Sequence, residues 1–307
     1  MNQHTIVAVD IAKDSLQILI NEENVNIPFT DRELARLKDK IAVLENPMVV
    51  CEATGGYERK LMEFCHKNAI AVCLVNPTRV RAFAHSEGLR AKSDPIDAKL
   101  LMKFAQEKKL KPSIAPSEEC QELADLLDRR AQLTGALASE KNREQKCAQS
   151  MKQSINRSIR FHEKEISKID EAIDKLIKKN DKLNRAHETM KSISGVGKIT
   201  SLTIAAFLSE ITEVNRNQVV ALAGIAPYDK DSGKRKGKRS IQAGRAKVRR
   251  CLYMAAQTAA QHNPVIRTYV EGLRARGKPY KCAMVAAMRK LLLHIQSELK
   301  KHEFSLV

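Results

Sequence analysis

The order of the β-branched runs near the N-terminus narrows the fold more than any other feature of this chain. Residues 5–12 and 16–20 are rich in Val and Ile and read as two strands of a hairpin. The polar turn Asn21-Glu22-Glu23-Asn24 separates them from a third run, Val25 to Phe29. Thr30 and Glu33 have capping-box spacing and predict a helix reaching about Leu44. A strand at 48–52, a helix from about Tyr57, a strand at 70–75 and a helix from Pro77 follow. A meander that gives way to strand–helix alternation predicts an α/β sheet of mixed direction.

The middle of the chain is different. From Ser117 to about Asn184 there is no Pro and no strand-like run, and Gly135 is the only glycine. Leu123, Leu126 and Leu127, then Leu133 and Leu137, recur at helical spacing, as do Ile166, Ile169, Ile173 and Ile177. Two long antiparallel helices hinged near Ser154–Arg160 are expected, serving as a solvated spacer or as a coiled-coil interaction arm. Composition shifts again at Met190. Ser194-Gly195-Val196-Gly197-Lys198 then precedes an apolar helix, Leu202 to Leu208. The two glycines suit either a tight turn or a hairpin whose N–H groups, with Lys198, meet a phosphate. They do not form a Walker loop, because the spacing and the Gly-Lys-Ser/Thr ending are wrong. These shifts place domains at 1–112, 113–187 and 188–307.

With 307 residues and 43% hydrophobic content, the chain can build more than one core. Its net charge of +18 points to a polyanionic partner. No apolar run approaches the roughly 20 residues of a spanning helix, and no signal peptide opens the chain, so no membrane role and a cytoplasmic location are expected. The seven cysteines are scattered without a Cys-x-x-Cys, which suits reduced structural thiols rather than a zinc site. Aromatics are only 4%, too few for stacking platforms along single strands, so duplex backbone is the favoured target.

Four acids punctuate the N-terminal framework. Asp10 ends the run Ile6-Val7-Ala8-Val9, and Glu52 ends Met48-Val49-Val50-Cys51. Asp94 and Asp97 lie in Lys92-Ser93-Asp94-Pro95-Ile96-Asp97-Ala98. Singly, each has an ordinary explanation. Asp10 and Glu52 can be solvent-facing strand ends, and Asp94-Pro95 with Asp97 suits N-cap, N1 and N3 of a helix. Together they repel one another unless a cation sits among them. Carboxylates from several elements are what two hard cations about 4 Å apart require. The order strand acid, strand acid, helix acids resembles the ribonuclease-H-like nucleases.

The densest positive stretch is Asp231-Ser232-Gly233-Lys234-Arg235-Lys236-Gly237-Lys238-Arg239-Ser240, with Arg245, Lys247, Arg249 and Arg250 beyond it. It reads as a solvated face or as a loop that neutralises phosphate. Ser232 is either a turn residue or a hydroxyl placed where a scissile phosphate is held. Neighbouring cations would ease its alkoxide character and offset the added charge of the transition state. Arg79, Arg81, Arg90 and Lys92 are near the acids in sequence and are either solubilising or backbone-binding.

With these residues in view, the chain resembles the DEDD-type transposases of the IS-one-ten insertion-sequence family, in its IS-eleven-eleven group. The resemblance is carried by Val9-Asp10-Ile11-Ala12-Lys13, Cys51-Glu52-Ala53-Thr54-Gly55-Gly56-Tyr57, Asn76-Pro77, the block Phe83 to Ala98, and Gly195-Val196-Gly197. Ala223-Gly224-Ile225-Ala226-Pro227, Asp231-Ser232-Gly233-Lys234 and Gly244-Arg245-Ala246 through Tyr253-Met254 complete it. The resemblance implies an α/β RuvC-like N-terminal domain, a coiled-coil arm and a mainly helical C-terminal transposase domain. It implies Asp10, Glu52, Asp94 and Asp97 as a magnesium-binding tetrad and Ser232 as a nucleophile forming a transient phosphoserine link to DNA. It further implies a structured guide (bridge) RNA that pairs with donor and target double-stranded DNA. It implies a homo-oligomer, dimer or tetramer, with an active site shared between protomers. The residues themselves leave open a metal-dependent junction nuclease without a covalent step, and a non-catalytic nucleic-acid scaffold.

Overall fold

The computed structural model describes residues 4–88, 94–229, 237, 239–304 and 306, with nothing described of the Asp94 and Pro95 side chains. It divides into two compact units, Met1–Ala115 and Pro116–Val307.

The first unit runs β1 (Thr5–Ile11), β2 (Ser15–Ile20), β3 (Glu23–Pro28), α1 (Asp31–Ala42), β4 (Pro47–Glu52), α2 (Glu58–Lys67), β5 (Ala71–Val75), α3 (Pro77–Ser86) and α4 (Asp94–Lys108). The sheet order is β3-β2-β1-β4-β5. The first three strands pair antiparallel, and β4 and β5 run parallel to β1. This is the mixed sheet expected from a meander followed by alternation. The central strands read as unbroken apolar runs because helices cover both faces. Val7, Val9, Val49 and Cys51 pack under α1 and α2, whereas Ile6, Ala8, Met48 and Val50 pack under α3 and α4.

Two local expectations change. The turn after β2 is Asn21-Glu22 alone, both with left-handed φ of 44° and 75°, and Ile20 pairs directly with Glu23. Such a two-residue turn matches the twist of the flanking strands. The capping box at Thr30 is half formed. Thr30 Oγ1 accepts from the Glu33 N–H, but the Glu33 carboxylate turns to Arg36 and the Thr30 N–H donates to the Pro28 carbonyl.

The second unit comprises α5 (Glu118–Glu144), α6 (Gln149–Lys179), α7 (Asp181–Lys191), α8 (Lys198–Phe207), a 3-10 turn (Ser209–Thr212) and α9 (Arg216–Leu222). After these come β6 (Pro227–Tyr228), β7 (Ser240–Ile241), α10 (Ala246–His262), α11 (Pro264–Ala275) and α12 (Tyr280–Lys301). Among the described residues its regular structure is helical apart from the two-residue strand pair. Helices α5 and α6 form an antiparallel hairpin, pinned by Arg130–Asp170 at 2.6 Å and Lys141–Glu163 at 2.8 Å. Their turn lies at 145–148, not near Ser154–Arg160. The reason is in the stripe: Ile155 and Ile159 continue the three–four spacing of Ile166, Ile169, Ile173 and Leu176, so nothing breaks the helix there. At its base the hairpin is not a separate body. Leu123, Leu127, Ile173 and Ile177 share one core with α8, α10 and α12. The chain terminus joins it, with Leu306 buried and its carbonyl accepting from Cys120 Sγ at 3.4 Å.

The glycine pair before α8 splits into two roles. Gly195, with φ 101°, lies so close to α10 that a Cβ would overlap the backbone and Cβ of Ala259. Gly197 is the N-cap of α8 and faces open space. Beneath it, the buried Ser201 hydroxyl meets His187 Nδ1 at 2.7 Å. Burial and the nearby Lys191 hold this histidine below its ordinary pKa, so it is a neutral packing element.

Candidate active site

Asp10 and Glu52 are placed by the sheet itself. Val9 faces Cys51 across the parallel pair of β1 and β4, so the next residues, Asp10 and Glu52, end adjacent strands side by side. Alternation sets Asp10 in line with Ile6 and Ala8, and Glu52 in line with Met48 and Val50. Both acids therefore belong to the face that α4 covers, and both are half-buried. Asp10 Oδ1 accepts from the Ile11 N–H at 3.1 Å. Helix α4 packs chiefly on β1 and β2 of this face. Ala98 and Leu101 enter the core there, and the half-buried Asp97 immediately precedes them. The register thus sets Asp10 and Glu52 side by side on the sheet face that α4, with Asp97 near its start, packs against. Helix α4 begins at Asp94 itself, so Asp94, Pro95 and Asp97, expected at N-cap, N1 and N3, each stand one position further into the helix, and the Asp94 side chain lies outside the described residues.

Among the described residues, no three His, Cys, Asp or Glu side chains converge into a preformed ion cage. The donor set nevertheless suits magnesium. It consists of hard carboxylates, and this ion is commonly held by one or two of them together with substrate phosphates rather than by an all-protein cage. Cys51, next to Glu52, is not a competing ligand, because burial drives its thiol far above its ordinary pKa and it packs on the opposite face.

Two neighbours of the acids escaped the sequence reading. Gln17 lies directly across from Asp10 in the β1–β2 ladder and is buried. Its amide donates to Asn24 Oδ1 and accepts from Asn26 Nδ2 at 2.9 Å, so a polar row runs across the sheet into the acids. A Gln between Leu16 and Ile18 was the available signal. Glu58 organises the loop that follows Glu52. Its Oε2 accepts from the Thr54 N–H at 3.0 Å and the Gly56 N–H at 2.8 Å, where Gly55 and Gly56 both have positive φ.

The basic candidates divide. Arg79 and Arg81 are exposed on α3, with the Arg79 guanidinium 5.5 Å from the Phe104 ring centre. Lys198 pairs with Asp174 at 2.5 Å. Arg239 pairs with Asp229, while Arg245 binds the Glu210 carboxylate with both terminal nitrogens and donates to the Phe207 carbonyl at 3.0 Å. Arg249 turns inward to the Ala243 carbonyl at 2.6 Å, and Arg250 is exposed on α10. Arg90, Lys92, Ser232, Lys234, Arg235, Lys236 and Lys238 lie outside the described residues. Glu210 gave no sequence signal, because its partner is 35 positions away.

Comparison with known proteins decides the family. The DEDD_Tnp_IS110 family model, described as Transposase, matches residues 3–153. The model described as Transposase IS116/IS110/IS902 family matches residues 187–271. The chain belongs to the IS110 family of transposases. This IS110-family transposase is 27% identical over 301 residues to the pilin gene-inverting protein of Moraxella lacunata, covering 94% of this chain and 93% of that protein. It is 25% identical to the transposase for insertion sequence element IS1111A of Coxiella burnetii, covering 85% of this chain and 79% of that protein. It is therefore an enzyme that acts on DNA, a transposase or recombinase. No helix among its described residues is long and apolar enough to cross a membrane.

Proposed function

We propose that this transposase cuts and rejoins double-stranded DNA through a transient Ser232–DNA link, using a magnesium site formed by Asp10, Glu52, Asp94 and Asp97. The observation that carries the acid half is the register of β1 and β4, which sets Asp10 and Glu52 side by side on the face bearing α4. The sheet order β3-β2-β1-β4-β5, with an antiparallel meander leading into parallel strands, supports a RuvC-like unit. The helical hairpin, with its three–four stripe, supports a coiled-coil arm in a homo-oligomer.

Magnesium would supply charge neutralisation at the phosphate and ease formation of the attacking oxyanion. The Ser232 hydroxyl gives up its proton, its Oγ bonds to phosphorus, and one backbone P–O bond breaks. The departing deoxyribose oxygen takes a proton and leaves a free hydroxyl end. Attack by a hydroxyl of another strand reverses these bonds and frees the serine, so no phosphodiester is lost to water. The basic segment around Ser232, with Arg79, Arg81, Arg90 and Lys92, would hold nucleic-acid backbone. A structured guide RNA, which the family resemblance implies, would select the sites by pairing.

The test is an adduct assay with labelled DNA, purified protein and the RNA that accompanies it from cells. Wild type is expected to form a protease-sensitive, Mg2+-dependent protein–DNA adduct, and Ser232→Ala to form none. Cleavage without any adduct would establish the junction-nuclease chemistry instead, and equal recombination by Ser232→Ala would remove the serine from the reaction.

A further inference from the structure

Gly224 and Gly244, the residues that flank 225–243 in the chain, meet at a single point of the second unit. Gly224 and Gly244, with φ of 69° and 66°, press their backbones together there. A Cβ on Gly244 would overlap the Gly224 Cα and N, and a Cβ on Gly224 would overlap the Ala243 carbonyl and the Arg249 guanidinium. The Arg245 N–H donates to the Leu222 carbonyl at 2.8 Å. Arg249 Nη1 donates to the Ala243 carbonyl at 2.6 Å and reaches that of Gly224 at 3.5 Å. Ala243 has φ 58°, a left-handed conformation that disfavours a side chain and persists only when its surroundings impose it. The Arg245 side chain spans the 3-10 turn through Glu210 and the Phe207 carbonyl. Above this base, Pro227 pairs with Ile241 and Tyr228 with Ser240, and Asp229–Arg239 forms the next rung.

Charge alone would assign Arg245 and Arg249 to phosphate. The contacts are of another kind: one guanidinium is neutralised by a carboxylate, and Nη1 of the other lies between two carbonyls that flank the same segment. We infer that Arg245 and Arg249 are positioning residues which, with Gly224 and Gly244, clamp the base of the β6–β7 pair, the two strands between which Ser232 falls in the sequence. This rests on the reading of Ser232 as the nucleophile. The rigid guanidinium plane fixes Nη1 between the two carbonyls, whereas a lysine ammonium on a flexible stem has no such fixed position.

Arg249→Lys and Gly244→Ala test the clamp in the full-length protein. At saturating DNA, both are expected to slow Ser232-dependent adduct formation by about a hundredfold, the scale of an ångström-sized misplacement. DNA affinity and its salt dependence are expected to stay at wild-type values. Hydrogen exchange at the Arg245 amide is expected to speed up in Arg249→Lys. The inference is overturned if Arg249→Lys restores full adduct rate, or if Arg249→Ala lowers affinity and flattens the salt slope by about one while the saturated rate is unchanged, as for a lost phosphate contact. Unaltered exchange at the Arg245 amide in Arg249→Lys also overturns it. Absence of any Ser232-dependent adduct in wild type defeats the nucleophile reading instead, and the exchange experiment then decides the clamp by itself.

Discussion

Asp10 and Glu52 reach their positions through the backbone ladder of β1 and β4, whereas the ends of the 225–243 segment are held by arginines and by glycines in backbone contact. In the first unit the two acids follow from a ladder made by backbone groups and filled by apolar side chains. In the second, close approaches and inward-turned polar groups define the structure itself. Removing a carboxylate should therefore cost chemistry and spare folding, while small changes at the close approaches should cost both.

Gly195→Ala sharpens this contrast most. Its Cβ has no room beside Ala259 and its φ is left-handed, so the variant is expected to lose about 2–4 kcal/mol in urea denaturation. Gly197→Ala, two residues away in open space, is expected to lose less than about 1 kcal/mol, the cost of a poorer N-cap. Equal losses in the two variants would show that packing against α10 is not what Gly195 provides.

A smaller effect comes from His187. Burial holds its pKa below the ordinary 6.5, so between the folded value and 6.5 the unfolded chain binds the extra proton. Its share of stability is complete above pH 6.5 and declines as pH falls beneath it. Wild type should denature more easily at pH 5.5 than at pH 7.5, and His187→Asn should narrow that gap. His66 in the first unit, also lowered by burial, would account for part of what remains. A gap untouched by the substitution would place the pH dependence elsewhere.

The sequence was informative where a residue's role follows from its neighbours in the chain. Strand alternation, the meander, Pro77 as a helix start and the acids at strand ends are all local signals, and the structure begins α3 at Pro77 with Asn76 accepting from the Thr78 N–H at 2.8 Å. The hinge expected near Ser154–Arg160 lies instead at 145–148, because Ile155 and Ile159 keep the stripe in phase. The roles of Arg245 and Arg249 were not legible. Both sit in a basic run that looks like a phosphate-binding surface, and only the fold brings Glu210, Phe207 and Gly224 to them. Gln17 and Glu58 were hidden for the same reason, since cross-strand and loop hydrogen bonds leave no periodic trace.

If Asp10 and Glu52 serve one ion site, a double-mutant cycle on Mg2+-dependent strand cleavage will show their dependence on each other. Asp10→Asn and Glu52→Gln preserve size and the strand ladder, and each is expected to slow single-turnover cleavage by about a thousandfold or more with unchanged melting. If they share an ion, the double variant should fall no further than about threefold below the slower single variant. Losses that multiply, each acid contributing independently of the other, would contradict the account.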